Sequence, residues 1–431
     1  MPESTTKNPG KSRTLPVPHK MQLVYVIGTY PEITTTFIDR EIQALGGMGF
    51  QIKILSIRRP SKTVSHLKEY KETQRDITYL LPVHWFRLIL AHLYFSIVRS
   101  REYFKTLFFI LAGHHPGFKH RGKSLLHFGE GVYSAYLLRG GNLYHIHAHF
   151  MDRAATVALI VSRFLDIPYS VTAHADDIFN EPLLPVEKLS EAKFSVTVSE
   201  FNRAHLLNQY PRLNAQKLFV LHPWIDLDCF RPSPDSRERE GFQILSVGRL
   251  VENKGHKFLI EACHRIHKEG MNFECNIIGD GPLRSELETL ICDRNLKCKV
   301  HLLGEQPQSE VHRYLSKADV FVLACTIDNN GNRDGMPVAI AEAMAMEIPV
   351  ISTDIVGIGE MVQDGTGYLV HARDSAALAE SIWKVYRAGP AFRCEMGRRG
   401  RKVIEEHFDL YKGVGKLASL FERSISNQHV Y

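Results

Sequence analysis

The chain has 431 residues, enough for two or three domains, and its 44% hydrophobic and 23% charged content is that of a globular, water-soluble protein rather than a disordered or membrane-spanning one. A net charge of +6 is mild: it permits contact with a nucleotide or an anionic lipid surface, but it makes no nucleic-acid footprint, and nucleic acid is not expected as a partner. Seven cysteines without C-x-x-C spacing argue against a disulfide framework and fit a reducing cytosol.

Residues 1–20 are polar, lack an apolar signal core and read as a disordered tail. Leu23 to Gly28 is a buried strand running into a loop at Gly28-Thr29-Tyr30-Pro31. Phe37, Ile38, Ile42 and Leu45 mark a helix face that ends at Gly46-Gly47, and Gln51 to Ile57 alternates as the next strand. This is the pattern of a parallel sheet with covering helices. Glu32 and Thr34 sit in the loop at the carboxyl end of the first strand, the edge at which open α/β sheets bind ligands. The threonines at 34–36 either cap the helix or meet a ligand.

Residues 83–113 interleave Trp85, Phe86, Tyr94, Phe95, Phe104 and Phe108 with Arg87, Arg99, Arg101 and Lys105. The longest uncharged run, Leu88 to Val98, is eleven residues, short of the ~20 a membrane span needs. Two readings stay open: helices lying in a membrane interface, or a helix pair covering the sheet. Asn142 to Phe150 reads as a strand with His145, His147 and His149 on one face, a trio that metal ligation would suit. A helix over Ala154–Leu165 leads to the strand Tyr169–Thr172, which ends in Thr172-Ala173-His174-Ala175-Asp176-Asp177-Ile178-Phe179. The strands Phe194–Ser199 and Lys217–His222 complete a first domain over 21–224.

Residues 225–240 are rich in Pro, Ser, Glu and Arg and read as a linker. A second domain over 241–404 repeats the strand-helix alternation, and a last helix over 405–431 follows. Within it, Pro337 opens a small-residue helix. Proline is suited to a helix start, and the amides from Gly335 to Ala339 are free for an anion. Glu342 is a lone acid in that apolar helix, eight residues after Asp334.

Five segments occur in an order that resembles the retaining, family-four glycosyltransferases of GT-B fold, in particular the bacterial exopolysaccharide and colanic-acid type. They are Ser246-Val247-Gly248-Arg249-Leu250 with Glu252-Asn253-Lys254-Gly255; Ile278-Gly279-Asp280-Gly281-Pro282-Leu283; Asp334-Gly335-Met336-Pro337-Val338 with Glu342; Gly357-Ile358-Gly359-Glu360; and Asp364-Gly365-Thr366-Gly367-Tyr368. Asp226-x-Asp228 mimics the metal-binding D-x-D of other glycosyltransferases, but it resembles the family's interdomain I-D-x-x-x-F-x-P and is read as linker. One departure is Asp334, where the family has glutamate.

The resemblance implies an α/β architecture of GT-B type, two Rossmann-like doubly wound domains facing across a cleft, with the last helix crossing back to the first domain. It implies a hexosyltransferase in polysaccharide biosynthesis that retains anomeric configuration. The co-substrate is a nucleoside diphosphate sugar, UDP-linked in preference to GDP-linked, with no metal and no other cofactor. Arg249 and Lys254 would hold the diphosphate together with the segment Gly335, Met336, Pro337 and Val338, whose free N–H groups, Pro337 having none, point to the anion. Glu342 would take the ribose and Asp334 the transferred sugar, and Gly304 and Glu305 would border the base. His174 would position the sugar. Glu32, Thr34, His149 and Asp177 would face the acceptor, a glycan or polyprenyl-linked oligosaccharide. The resemblance argues against metal at the three histidines. The protein is expected in the cytoplasm, peripherally on the inner face of the plasma membrane if residues 83–113 meet anionic lipid. Two other activities fit the same segments: a sugar-nucleotide epimerase, and a non-catalytic membrane-peripheral protein that binds glycan or nucleotide sugar.

Overall fold

The computed structural model describes residues 21–32, 35–60, 77–113, 115, 117–180, 183–232 and 241–426. The expected tail over 1–20, Thr34 and the linker residues 233–240 lie outside that set.

The first sheet begins with β1 (Gln22–Thr29), α1 (Thr36–Gly47), β2 (Gln51–Arg58) and β3 (Ile77–Tyr79). Helices α2 (Trp85–Val98), α3 (Ser100–Ala112) and α4 (Phe118–Leu138) precede β4 (His145–His149), α5 (Arg153–Leu165), β5 (Tyr169–Ala173) and α6 (Ala175–Phe179). Then come α7 (Pro185–Glu191), β6 (Phe194–Thr197), α8 (Glu200–Gln209) and β7 (Leu218–Val220). The seven strands are all parallel, in the order β3-β2-β1-β4-β5-β6-β7.

Period-two alternation in β1 builds two cores at once. Val24 and Val26 join Ile160 and Phe164 of α5 on one side, while Leu23, Tyr25 and Ile27 join Phe421 on the other. Strands buried on both faces are what a parallel sheet requires, and β4 and β5 are buried at every position. β4 is shorter than the expected 142–150: it starts at His145, and at its far end Phe150 turns out of the strand at φ 72°.

The second sheet is built from β8 (Phe242–Val247), α9 (His256–Lys268), β9 (Phe273–Ile278), α10 (Arg284–Asp293), β10 (Val300–Leu302), α11 (Gln308–Leu315) and β11 (Val320–Leu323). It continues through α12 (Val338–Ala345), β12 (Val350–Thr353), α13 (Ile358–Met361), β13 (Gly367–Val370), α14 (Ser375–Arg387) and α15 (Gly389–His407). Its order is β10-β9-β8-β11-β12-β13, again parallel. The strand order of each sheet therefore reverses once, between β1 and β4 and between β8 and β11. A crevice opens at the carboxyl ends of the strands at such a point, and open α/β sheets bind ligands there.

The final helix, α16 (Leu410–Ser426), packs on the first sheet, not the second. Phe421 is buried against Tyr25, and the Ser424 hydroxyl meets His145 Nδ1 at 2.9 Å. Where α16 begins, the Leu410 amide donates to the Ile225 carbonyl at 3.1 Å.

Helices α2 and α3 pack against α4 and α5 as a further layer, with Phe95 stacked on Phe164 at 4.7 Å. Ala91, Phe95, Thr106 and Ile110 are their buried side. Among the described residues no helix is long and apolar enough to cross a membrane.

Candidate active site

The loops that follow β8 and β11 carry the cations and acids singled out in the sequence. After β8 the chain turns through Gly248, Arg249 and Leu250, makes a short turn at Glu252–Lys254, and enters α9 through Gly255. Gly255 has φ 67°, and a Cβ there would lie 1.7 Å from the Ala324 carbonyl oxygen just past β11. Only glycine allows both that dihedral and that approach, so Lys254 is brought against the switch point of the second sheet. Its ammonium pairs with the Asp334 carboxylate, both side chains about a fifth exposed. Burial works against the charged lysine, but the Asp334 carboxylate beside it carries its pKa above the ordinary value. Arg249 is exposed and forms no ion pair among the described residues.

From Asp334 the chain passes Gly335, buried Met336 and Pro337 into α12. Pro337 caps the helix and Val338 is its first residue, one later than expected. The amides of Val338 and Ala339 have no carbonyl one turn earlier to bond within the helix, which leaves them and the positive end of the dipole for an anion. Gly335 lies where the two domains meet: a Cβ there would stand 2.7 Å from the Ala175 Cβ, next to His174. The Asp334–Val338 segment and the His174 segment thus share one cleft, as do Lys254 and Asp334.

Glu342, one turn into α12, is held across the domains. Arg40 of α1 donates from Nη2 to Glu342 Oε1 at 3.1 Å, and both side chains are less than 15% exposed. Burial raises the Glu342 carboxyl above its usual range, with Arg40 pulling the other way. The Arg40 guanidinium also lies over the Phe230 ring at 5.5 Å. Nothing in the sequence singles out Arg40, because its partner is 302 positions away. A second cross-domain contact was equally hidden: the Glu360 carboxylate accepts from the Glu200 and Phe201 amides at 2.9 and 3.0 Å, capping α8 from the opposite domain.

His174 follows β5 and is half-buried among Phe37, Phe150 and His149, at ring distances of 5.2, 4.5 and 6.0 Å. Burial, with His149 adding to it, lowers its pKa to about 3, so the ring is neutral; its Nε2 is buried with no partner among the described residues. Asp177 turns inward. Its carboxylate accepts from the Met151 amide and, at 2.6 Å, from the His174 amide, tying the loops after β4 and β5 together. That engagement gives Asp177 a positioning task beneath the cleft rather than a face toward an acceptor. His149 is likewise fully buried, with Nε2 3.0 Å from Glu41 Oε1. Glu32 is half-buried, and its amide and carbonyl both bond Thr35 in the turn before α1.

Glu41, His147 and His149 bring ligand atoms within 4.8 Å of one another, the one such group among the described residues. Both His147 nitrogens already face hydroxyls, Ser170 at 2.8 Å and Thr172 at 3.1 Å. The cluster reads as a hydrogen-bonded polar core. Asp226, in the D-x-D-like stretch, accepts from the amides of Asp228 and Cys229 at 2.9 and 3.2 Å, a local turn. At the far side of the second sheet the Gly279 amide donates to the Gly304 carbonyl at 2.9 Å, which sets Gly304 (φ 73°) and exposed Glu305 beside the Gly279–Asp280 turn.

The buried histidines make a test of this packing. His145 is enclosed by Ser170 and Ser424, and burial lowers its pKa from 6.5 to about 3. A depressed histidine pKa means that the unfolded chain binds a proton the fold refuses, so its contribution is complete above pH 6.5 and is lost as pH falls toward 3. His145→Gln is expected to be less stable than the parent at neutral pH. The gap should narrow by about 1.4 kcal/mol per pH unit below 6.5, read from denaturant unfolding across pH. Parallel stability curves would contradict a neutral, enclosed His145.

Comparison with known proteins places these segments. The family described as glycosyl transferases group 1 matches residues 241–388. The chain is 33% identical over 253 residues to the amylovoran biosynthesis glycosyltransferase AmsK of Erwinia amylovora, a match covering 52% of this chain and 62% of that one. The chain thus spans less than two thirds of that relative's length. A glycosyltransferase from Rickettsia africae ESF-5 superposes with a TM-score of 0.72 at 17% identity, over 95% of this chain and 99% of that one. Anabaena Alr3699/HepE, solved in complex with UDP-glucose, superposes with a TM-score of 0.70 at 15% identity, over 94% and 100%. The chain has the GT-B fold, and its residues 241–388 are a glycosyl transferases group 1 domain.

Proposed function

We propose that the protein is a retaining glycosyltransferase. It moves a hexose-type sugar from a nucleoside diphosphate sugar, UDP-linked in preference to GDP-linked, to a hydroxyl of a glycan or polyprenyl-linked oligosaccharide in polysaccharide biosynthesis. It works without a metal, in the cytoplasm and peripherally at the inner face of the plasma membrane. The observation that carries the reading is the meeting of Lys254 and Asp334 at the second sheet's switch point, beside the open end of α12. A cation, free amides and an acid side by side suit a diphosphate next to a sugar. The amylovoran relative supports the polysaccharide setting, and the UDP-glucose complex of the Anabaena protein supports the donor class.

In this reading the donor enters between the domains, and its diphosphate takes Lys254 as partner in place of Asp334. Arg249 reaches the same group from the exposed side. The amides after Pro337 complete the anion site. Released from the lysine, Asp334 accepts from hydroxyls of the sugar, and Glu342, of which Arg40 engages one oxygen, accepts from the ribose. Breaking the bond between the sugar carbon and the diphosphate oxygen puts negative charge on the departing phosphate, and fixed cations and amides stabilise it as it forms. The acceptor hydroxyl attacks from the same face, and its proton passes to a phosphate oxygen of the leaving group. Neutral His174 lies across the cleft from Gly335 and positions the sugar.

The test is a donor screen with UDP- and GDP-sugars, with and without a glycan acceptor, resolving free sugar, epimer and extended acceptor. Transfer that needs the acceptor and prefers UDP-sugar is expected. Epimer formed without acceptor, or sugar-nucleotide binding with no turnover on any acceptor, would overturn the reading. Turnover in excess EDTA should equal that in plain buffer, and activity that falls and is restored by magnesium, manganese or zinc would contradict the metal-free scheme.

A further inference from the structure

Helices α2 and α3 present an apolar face that nothing among the described residues covers. On α2, Phe86, Leu90, Leu93 and Ile97 recur at helical spacing and are 63%, 38%, 52% and 75% exposed. On α3, Phe104 and Phe108 lie one turn apart at 59% and 74%. The opposite side of each helix is buried, so the exposed row is not the result of poor packing. Soluble proteins rarely leave that much contiguous apolar surface in water unless a partner takes it.

Charge selects the partner. From residue 83 to 129 the chain carries seven Lys and Arg residues and a single acid, Glu102. Arg87, Arg101, Lys105 and Lys123 are exposed on α2, α3 and α4. A second copy of the same face would bring these cations against one another with only Glu102, which already pairs with Lys105 at 4.0 Å, to offset them, which costs energy. An anionic surface would meet each of them favourably. The helices have 14 and 13 residues, or about 20 Å at ~1.5 Å per residue, too short to span a hydrocarbon layer of about 30 Å. Lying flat, with aromatic and aliphatic side chains inward and cations level with the headgroups, is the arrangement such a helix takes at an interface.

We infer that the exposed side of α2 and α3, with the adjacent end of α4, is the docking surface for an anionic phospholipid bilayer. The inference deepens the membrane-surface part of the proposed function and is independent of the transfer chemistry. On the opposite side of the first domain's helix layers, the same elements pack down through α4 and α5 to β1 and β4, whose carboxyl ends flank the cleft. Docking therefore holds the domain proposed to take the acceptor at the lipid surface.

The experiment is vesicle co-sedimentation of the full chain with phosphatidylcholine alone and with phosphatidylcholine mixed with phosphatidylglycerol. Binding to the anionic vesicles should be at least roughly tenfold tighter and should weaken with salt. The combined variant Phe86→Ser, Ile97→Ser, Phe108→Ser should lose roughly tenfold or more of that binding. So should Arg101→Glu, Lys123→Glu, and both variants should keep the parent's thermal melting curve, since every replaced side chain is exposed. Equal binding to both vesicles, no binding, or a dimer that the serine variant splits while vesicles are ignored would overturn the inference. A chain inactive on every sugar nucleotide that still binds anionic vesicles would sink the transferase reading and leave this surface standing.

Discussion

Replacing Lys254 by alanine is expected to lower the turnover of sugar transfer by about two to three orders of magnitude, equivalent to about 3–4 kcal/mol of lost transition-state stabilisation. The reason is the timing of charge. Lys254 faces a carboxylate across the switch point, so its ammonium is pre-aimed and needs little rearrangement when the diphosphate replaces Asp334. The negative charge on the leaving group grows as the bond breaks, and the attraction is greatest at the transition state. Folding should suffer less. Both partners of the pair remain in reach of water, and removing one should cost about 1 kcal/mol. Lys254→Arg keeps a cation at the site and should recover part of the rate. Steady-state kinetics beside a melting curve separates the two effects, and a wild-type rate in the alanine variant would remove Lys254 from the diphosphate site.

Glu342→Gln is expected to weaken donor binding by roughly tenfold to a hundredfold, the worth of about 1.5–3 kcal/mol for hydrogen bonds to a charged group. The loss should appear with UDP alone as well as with the UDP-sugar, because the ribose is common to both. Asp334→Asn should behave differently, weakening the sugar nucleotide relative to UDP while UDP alone binds more tightly than to the parent, because Lys254 no longer has to leave a carboxylate. Calorimetric titration of both ligands into both variants gives four affinities. If Glu342→Gln leaves UDP binding unaltered, the ribose assignment fails, and the Arg40 contact becomes the whole of that carboxylate's role. The contact has a cost of its own in the variant, since Arg40 is largely buried and its Nη1 has no partner among the described residues.

Local signals carried the doubly wound fold. Strand-helix alternation, the Gly248 and Gly279 turns, and proline at the head of α12 each depend on neighbours a few positions away, and each reappears in the two parallel sheets. The side of β4 that the histidines share was also legible, because period two is a local property. Their environment was not. His149 looked like a strand-end group facing a ligand, but Phe37 from α1 and His174 from the next loop close over it. Asp177 looked available beside His174, but the Met151 amide arrives from the preceding loop to engage it. Arg40 and Glu360 act between domains, and their partners depend on how the two sheets dock, which no periodicity reports. The aromatic-basic stretch divided in a way neither sequence reading contained by itself: one side of α2 and α3 packs inward and the other stays apolar in water.

The shorter Asp334 also has a structural counterpart. It reaches Lys254 rather than open solvent, so in the proposed function the donor competes for the lysine while the sugar competes for the acid. Both exchanges happen at the switch point of the second sheet. A structure of the protein with UDP bound tests this most directly. The diphosphate is expected between Lys254, Arg249 and the amides at the start of α12, with Asp334 separated from the lysine and Glu342 on the ribose. A nucleotide bound elsewhere, or bound with the Lys254–Asp334 pair intact, would contradict it.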